Sequence, residues 1–138
     1  MDLQAVSDRI AVEDLLTRYA TAVDRRDWDR YRSIFTHDAE IDYTSAGGIS
    51  GTLEEVIEFL SNSLSIFEMT QHSITNIDLE VAGDSATVSA VFNNPLRLVD
   101  GETWFTGGWY HHELVRTTEG WLSRRLSEES AWFDRAPF

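Results

Sequence analysis

The hydrophobic period of this chain changes once, near Thr70, and that change limits the folds open to it. Before it, apolar residues recur at spacings of three and four, the signature of a helix with one buried face. After it, apolar and polar residues alternate, as in half-buried strands. Helices gathered ahead of strands are the pattern of an α+β protein. The 138 residues fit one domain, 1–138, with enough chain to bury a sizeable core.

In the first half, Ile10, Val12, Leu15, Leu16, Tyr19, Ala20 and Val23 predict a helix over 7–23. Asp8, Glu13 and Asp14 lie toward its N-terminal half, where the helix dipole favours anions. A short second helix is expected over 28–35, with Asp27 as its N-cap. A brief strand follows over 40–43, then a loop at Ser45-Ala46-Gly47-Gly48. Thr52-Leu53-Glu54-Glu55 reads as a capping box that opens a third helix burying Val56, Ile57, Phe59, Leu60 and Leu64.

In the second half, strands are expected over 72–81, 86–99, 103–116 and 121–130. Ala82-Gly83-Asp84, Asp100-Gly101 and Thr118-Glu119-Gly120 supply the turns between them. Gly107-Gly108 inside a strand fits a bulge or a sharp bend. Antiparallel strands of this length curl, and a curled sheet with a helix across its mouth makes a pocket. The expected architecture is therefore a cone-shaped, curved antiparallel sheet with three N-terminal helices enclosing an apolar pocket for a small organic molecule.

Composition narrows the chemistry. The net charge is -13, and the arginines are scattered among the acids without a basic stripe. Nucleic acid and anionic membrane surfaces are not expected partners, because both need clustered cations. No apolar run reaches the roughly 18 residues of a membrane span. The opening MDLQAVSDRIAVEDLL lacks a basic segment followed by an apolar core, so no signal peptide is expected and the cytoplasm is the expected location. Cysteine is absent, which removes disulfides, thiolate nucleophiles and Cys-based metal sites. Lysine is absent too, which removes lysine Schiff bases. No zinc or calcium spacing, phosphate-cradling glycine loop or nucleophile elbow occurs. The expectation is an entity with no cofactor and no metal.

Several residues remain that bear chemistry. Asp24 falls at the C-terminal end of the first helix, where the dipole disfavours an anion. Either Arg25, Arg26 or solvent offsets it, or it partners another group. His72 opens the first long strand. It is either a core histidine satisfied by a backbone carbonyl or a general base. An aspartate accepting from one ring nitrogen would free the other for a substrate, and Asp24 is the candidate partner. Tyr43 is either edge packing or a donor to a substrate carbonyl. Tyr19 faces the core stripe of the first helix. His111 and His112 are adjacent in a strand and point to opposite faces, so they cannot chelate one metal. His37 is expected in a turn, against water. Trp104, Phe105, Trp109, Phe92 and Trp132 are candidates for the pocket wall.

The run from Tyr19 to Tyr31, with Asp24-Arg25-Arg26-Asp27-Trp28 at its centre, resembles the junction of the first two helices in SnoaL-like proteins. Phe35, Asp38-Ala39, Ile41-Asp42-Tyr43, Thr70-Gln71-His72, Asn76, Gly83-Asp84-Ser85-Ala86 and Gly120-Trp121 continue the resemblance over nearly the whole chain. That family lies in the nuclear-transport-factor-2-like superfamily, with scytalone dehydratase, bile-acid dehydratase, hexachlorocyclohexane dehydrochlorinase and ketosteroid isomerase. The fold hosts enzymes and non-catalytic binders.

Scytalone dehydratase is the catalytic pattern most similar to this sequence. The resemblance places its Asp–His pair on Asp24 and His72, and one substrate-orienting tyrosine on Tyr43. Its other tyrosine falls at Val23 and its second histidine near Leu96, and neither residue can do those jobs. The dehydrochlorinase pattern shares the pair but lacks its lysine near Tyr19. The ketosteroid isomerase pattern makes Tyr19 an oxyanion donor but puts its base at Tyr43. The resemblance thus implies a dehydratase-like lyase with Asp24, His72 and Tyr43 as catalytic residues and Tyr19, Phe92 and Trp109 as substrate-binding residues. An isomerase or cyclase on the same dyad, or a non-catalytic binder, are the alternatives. A homo-oligomer, dimer or trimer, is implied as well.

Overall fold

The computed structural model describes residues 2–135. The first helix, α1, spans Leu3–Arg25 and begins a turn earlier than its apolar stripe predicts. The cause is Asp2, whose carboxylate accepts from the Ala5 backbone N–H at 2.8 Å and caps the helix. Ile10, expected in the core, is 61% exposed. The buried stripe instead runs through Asp8, Val12, Leu15, Leu16, Tyr19 and Val23. Fully buried leucines of this kind contribute about 1.5–3 kcal/mol each.

The second helix, α2, covers Trp28–Arg32 and is capped by Asp27, which accepts from the Arg30 N–H at 3.1 Å. It ends before Phe35, where the first strand, β1 (Phe35–Asp42), already begins. The strand is longer than expected because Phe35, Ala39 and Ile41 all bury themselves in the core. His37 lies in β1, exposed, rather than in a turn. A single 3₁₀ turn at Thr44–Ala46 leads to β2 (Ser50–Thr52). The capping box at Thr52 and Glu55 is present in full and opens α3 (Leu53–Ser63).

Five strands follow: β3 (Phe67–Thr70), β4 (Ser73–Ala82), β5 (Ser85–Leu98), β6 (Thr103–Thr117) and β7 (Gly120–Asp134). From β4 onward they form the expected antiparallel meander. The path across the sheet is β2-β1-β7-β6-β5-β3, with β4 also paired to β5. The β1–β7 pair is parallel, and the curved sheet does not close on itself.

Two irregularities in this sheet set up the site. First, β3 and β4 share one edge of β5, β4 along Ser85–Asn93 and β3 along Leu96–Leu98. Pro95 lies between those stretches and has no N–H to give, so the ladder is interrupted opposite it. Gln71 and His72 occupy the gap. Second, the register of β6 against β7 shifts twice, between Gly107 and Gly108 and between Glu113 and Leu114. The glycine pair was expected at a bulge and sits at one. A Cβ on Gly108 would lie 2.0 Å from the Glu129 carbonyl oxygen. The second shift flips the inward face of β7, from Trp121 and Ser123 to Leu126 and Glu128.

Candidate active site

Asp24 and His72 meet where α1 ends beside the gap between β3 and β4. His72 Nδ1 lies 2.7 Å from Asp24 Oδ1, and the His72 backbone N–H donates to Oδ2 at 2.8 Å. In this register Gln71 stands opposite Pro95 and gives its N–H to the Pro95 carbonyl at 3.1 Å, so the next N–H, that of His72, points away from β5 and toward Asp24. Thr70 completes the cradle, its hydroxyl donating to Asp24 Oδ1 at 3.0 Å. Arg26 donates to the Thr70 hydroxyl at 2.8 Å and to the Val23 carbonyl at 2.7 Å. It sits in a left-handed cap that ends α1. The anion at the wrong end of the helix dipole is therefore held by three donors rather than by solvent.

A carboxylate only accepts, so Nδ1 carries the proton of the neutral imidazole and Nε2 presents its lone pair. Nε2 has no hydrogen-bond partner among the described residues, and His72 lines a cavity of about 360 Å³. The walls include Val23, Phe59, Leu60, Leu96, Trp104 and Phe105, and the polar groups are few. Val23 and Leu96, the two positions where the scytalone dehydratase pattern is not met, both lie in this wall.

Tyr43 stands just after β1, buried, at the centre of a chain of hydroxyls. Its oxygen is 2.6 Å from that of Tyr19 and 2.7 Å from that of Tyr31. The Tyr19 ring also packs edge-on against Tyr110, with centroids 5.1 Å apart. Burial pushes all four phenols well above their ordinary value, so they serve as donors and not as bases. Tyr19, Tyr43 and Tyr110 line the cavity, while Tyr31 is wholly enclosed behind them.

Three expected wall residues lie elsewhere. Phe92 does not line the cavity. It is stacked under Tyr110, with ring centroids 4.3 Å apart, and supports that ring from behind. Trp109 is 38% exposed on the outer face of the sheet, because Tyr110 beside it takes the inner face. Trp132 is also on the outside, laid over Gly107. The adjacent histidines do diverge. His111 bonds Ser89 and Glu129 on the outer face, and His112 is buried against Ser123. Burial lowers His112 to about 3, so it is a neutral packing group.

The sequence reading passed over Glu128, Asn94 and Tyr110, all of which line the cavity. Burial raises the Glu128 carboxyl from its ordinary 4.5 to about 7, against the opposing effect of a hydrogen bond from Tyr110. Among the described residues, no group of three or more His, Asp or Glu side chains could hold a metal ion. Among the described residues, no helix is long and apolar enough to cross a membrane.

The model of the SnoaL-like domain matches residues 4–127. This chain belongs to the SnoaL-like domain family. The SnoaL-like chain is 34% identical over 129 residues to the uncharacterized protein Rv2910c of Mycobacterium tuberculosis (strain H37Rv), covering 91% of this chain and 88% of that one. It superimposes on a hexachlorocyclohexane dehydrochlorinase, LinA type 2, with a TM-score of 0.86 and 25% identity, covering 100% of this chain and 95% of that one. A scytalone dehydratase-like protein from Novosphingobium aromaticivorans shares the fold at a TM-score of 0.86 and 18% identity, over 97% of this chain and 91% of that one. The architecture is the nuclear-transport-factor-2-like fold, as the sequence resemblance implies.

Proposed function

We propose that this protein is a cofactor-independent, dehydratase-like lyase acting on a small hydrophobic carbonyl compound. The observation that carries the reading is the Asp24–His72 pair, joined through ring and backbone, with His72 lining a largely apolar cavity. His72 Nε2 removes a proton next to the carbonyl. Asp24 fixes the tautomer and stabilises the imidazolium that forms. The imidazolium then returns that proton to the departing hydroxyl, and water leaves. Tyr43 supports the donors that polarise the carbonyl, through the hydroxyl chain it centres. The aromatic and aliphatic walls suit a ring. The name of the similar dehydrochlorinase denotes an elimination, which is the same reaction class.

The tyrosine chain beside the dyad also favours a second reading, an isomerase or cyclase, because enolate stabilisation serves a proton shift as well as an elimination. Product mass separates the two: loss of water marks the lyase, no change the isomerase. The test of the dyad is turnover of a β-hydroxy ketone such as 4-hydroxy-4-phenylbutan-2-one. Wild type is expected to release the conjugated enone and His72→Ala is expected not to. Equal rates in the two proteins would remove the mechanism.

A further inference from the structure

The polar side of the cavity ends in a carboxyl group that the dyad does not use. Glu128 stands on β7 directly opposite Tyr110 of β6 in the strand register. Its backbone is pinned from outside, since the Ser45 hydroxyl donates to the Glu128 carbonyl at 2.5 Å and accepts from the Ser130 N–H at 2.9 Å. Its side chain turns into the cavity that His72 also lines. No arginine or histidine forms an ion pair with it among the described residues. The titratable groups that face it are phenols: Tyr110 from β6, Tyr19 from α1, Tyr43 from the loop after β1, and Tyr31 behind them from α2. Tyr110 neighbours both acid–base groups: its ring is 6.3 Å from the His72 ring by centroid, and it is the direct cross-strand partner of Glu128.

An unpaired carboxylate in an apolar cavity is costly, and a carboxylic acid there is not. The acid form brings what the dyad lacks, a strong donor facing the space a substrate oxygen would take. We propose that Glu128 is a substrate-contacting acid whose carboxyl group donates to the carbonyl oxygen of a neutral ketone. This rests on the lyase reading for its chemistry. As His72 Nε2 takes the carbon-bound proton, the C–H electron pair becomes the C=C bond of an enolate, and the carbonyl π pair moves onto oxygen. That oxygen is hydrogen-bonded to Glu128. When the hydroxyl departs with the proton from His72, the oxygen lone pair restores the carbonyl. The arrangement suits neutral carbonyl compounds, because a substrate anion would have to give up its hydration to enter the largely apolar cavity.

The test is binding of an unreactive ketone, 4-phenylbutan-2-one, and of the matching anion, 3-phenylpropionate, by titration calorimetry across pH. Wild type is expected to prefer the ketone. Affinity should be level below about pH 7 and fall about tenfold per pH unit above it, as only the acid form donates. Glu128→Gln keeps a donor and is expected to bind the ketone at all pH values alike. Glu128→Ala is expected to bind the ketone more weakly than wild type below about pH 7 and without the fall above it, with circular dichroism verifying that it folds. Ketone binding that is absent in wild type, or that ignores both pH and Glu128→Gln, overturns the assignment. Turnover of the β-hydroxy ketone is read separately. If binding behaves as expected but nothing is eliminated, Glu128 keeps its role and the lyase reading falls.

Discussion

His72 grips Asp24 with both its ring and its backbone, at 2.7 Å through Nδ1 and 2.8 Å through the N–H. The two bonds use different carboxylate oxygens, so the plane of the carboxylate is fixed relative to the imidazole. Asp24→Asn keeps the shape but puts an NH₂ where one acceptor was, and it removes the charge that would stabilise an imidazolium. The expected outcome is a folded protein whose kcat/KM on the β-hydroxy ketone falls roughly a thousandfold to ten-thousandfold. Steady-state kinetics decide it, and a loss smaller than about tenfold would show the pair to be idle.

Tyr43→Phe removes the oxygen that joins Tyr19 to Tyr31. Tyr31 then keeps a buried hydroxyl whose one hydrogen bond is gone. The expected destabilisation is about 1–3 kcal/mol, read from urea unfolding. An unchanged midpoint would mean that water enters and replaces the lost oxygen.

Asp8 governs the acid limb of stability. It is buried in α1 and accepts from Arg116 at 2.7 and 3.2 Å, from Gln4 and from the Trp121 indole. These bonds, led by that from Arg116, hold its carboxyl at about 2, below the ordinary 3.8. A depressed folded value means stability that is present above pH 3.8 and lost as pH falls toward 2. Asp8→Asn is expected to flatten the unfolding midpoint over that window. A profile as steep as wild type would place the acid sensitivity elsewhere.

Gly108→Ala is expected to destabilise by about 1–3 kcal/mol or more, measured by thermal unfolding. The added Cβ would meet the backbone carbonyl of Glu129, which has no rotamer to move away. A variant as stable as wild type would mean that the bulge shifts at little cost.

Three helices, the caps at Asp27 and Thr52, the four long strands and the glycine bulge were legible in the sequence, because each rests on local periodicity or local hydrogen bonding, whereas the short β2 and β3 were not. The sequence also marked Asp24, His72 and Tyr43, through residue types at matched positions. What surrounds them depends on strand register, which no local pattern encodes. The register on β5 gives the Gln71 N–H to Pro95 and turns the His72 N–H outward to Asp24, which is a relation between segments far apart in sequence. Strict alternation from Trp121 and Ser123 would put Ser127 inside and Glu128 outside. The register shift at Glu113–Leu114 reverses that parity and brings Glu128 into the cavity. Trp109 is excluded by the same pleat, since Tyr110 takes the inner face. A pleat has two faces, and only the partner strand's register says which one is inside.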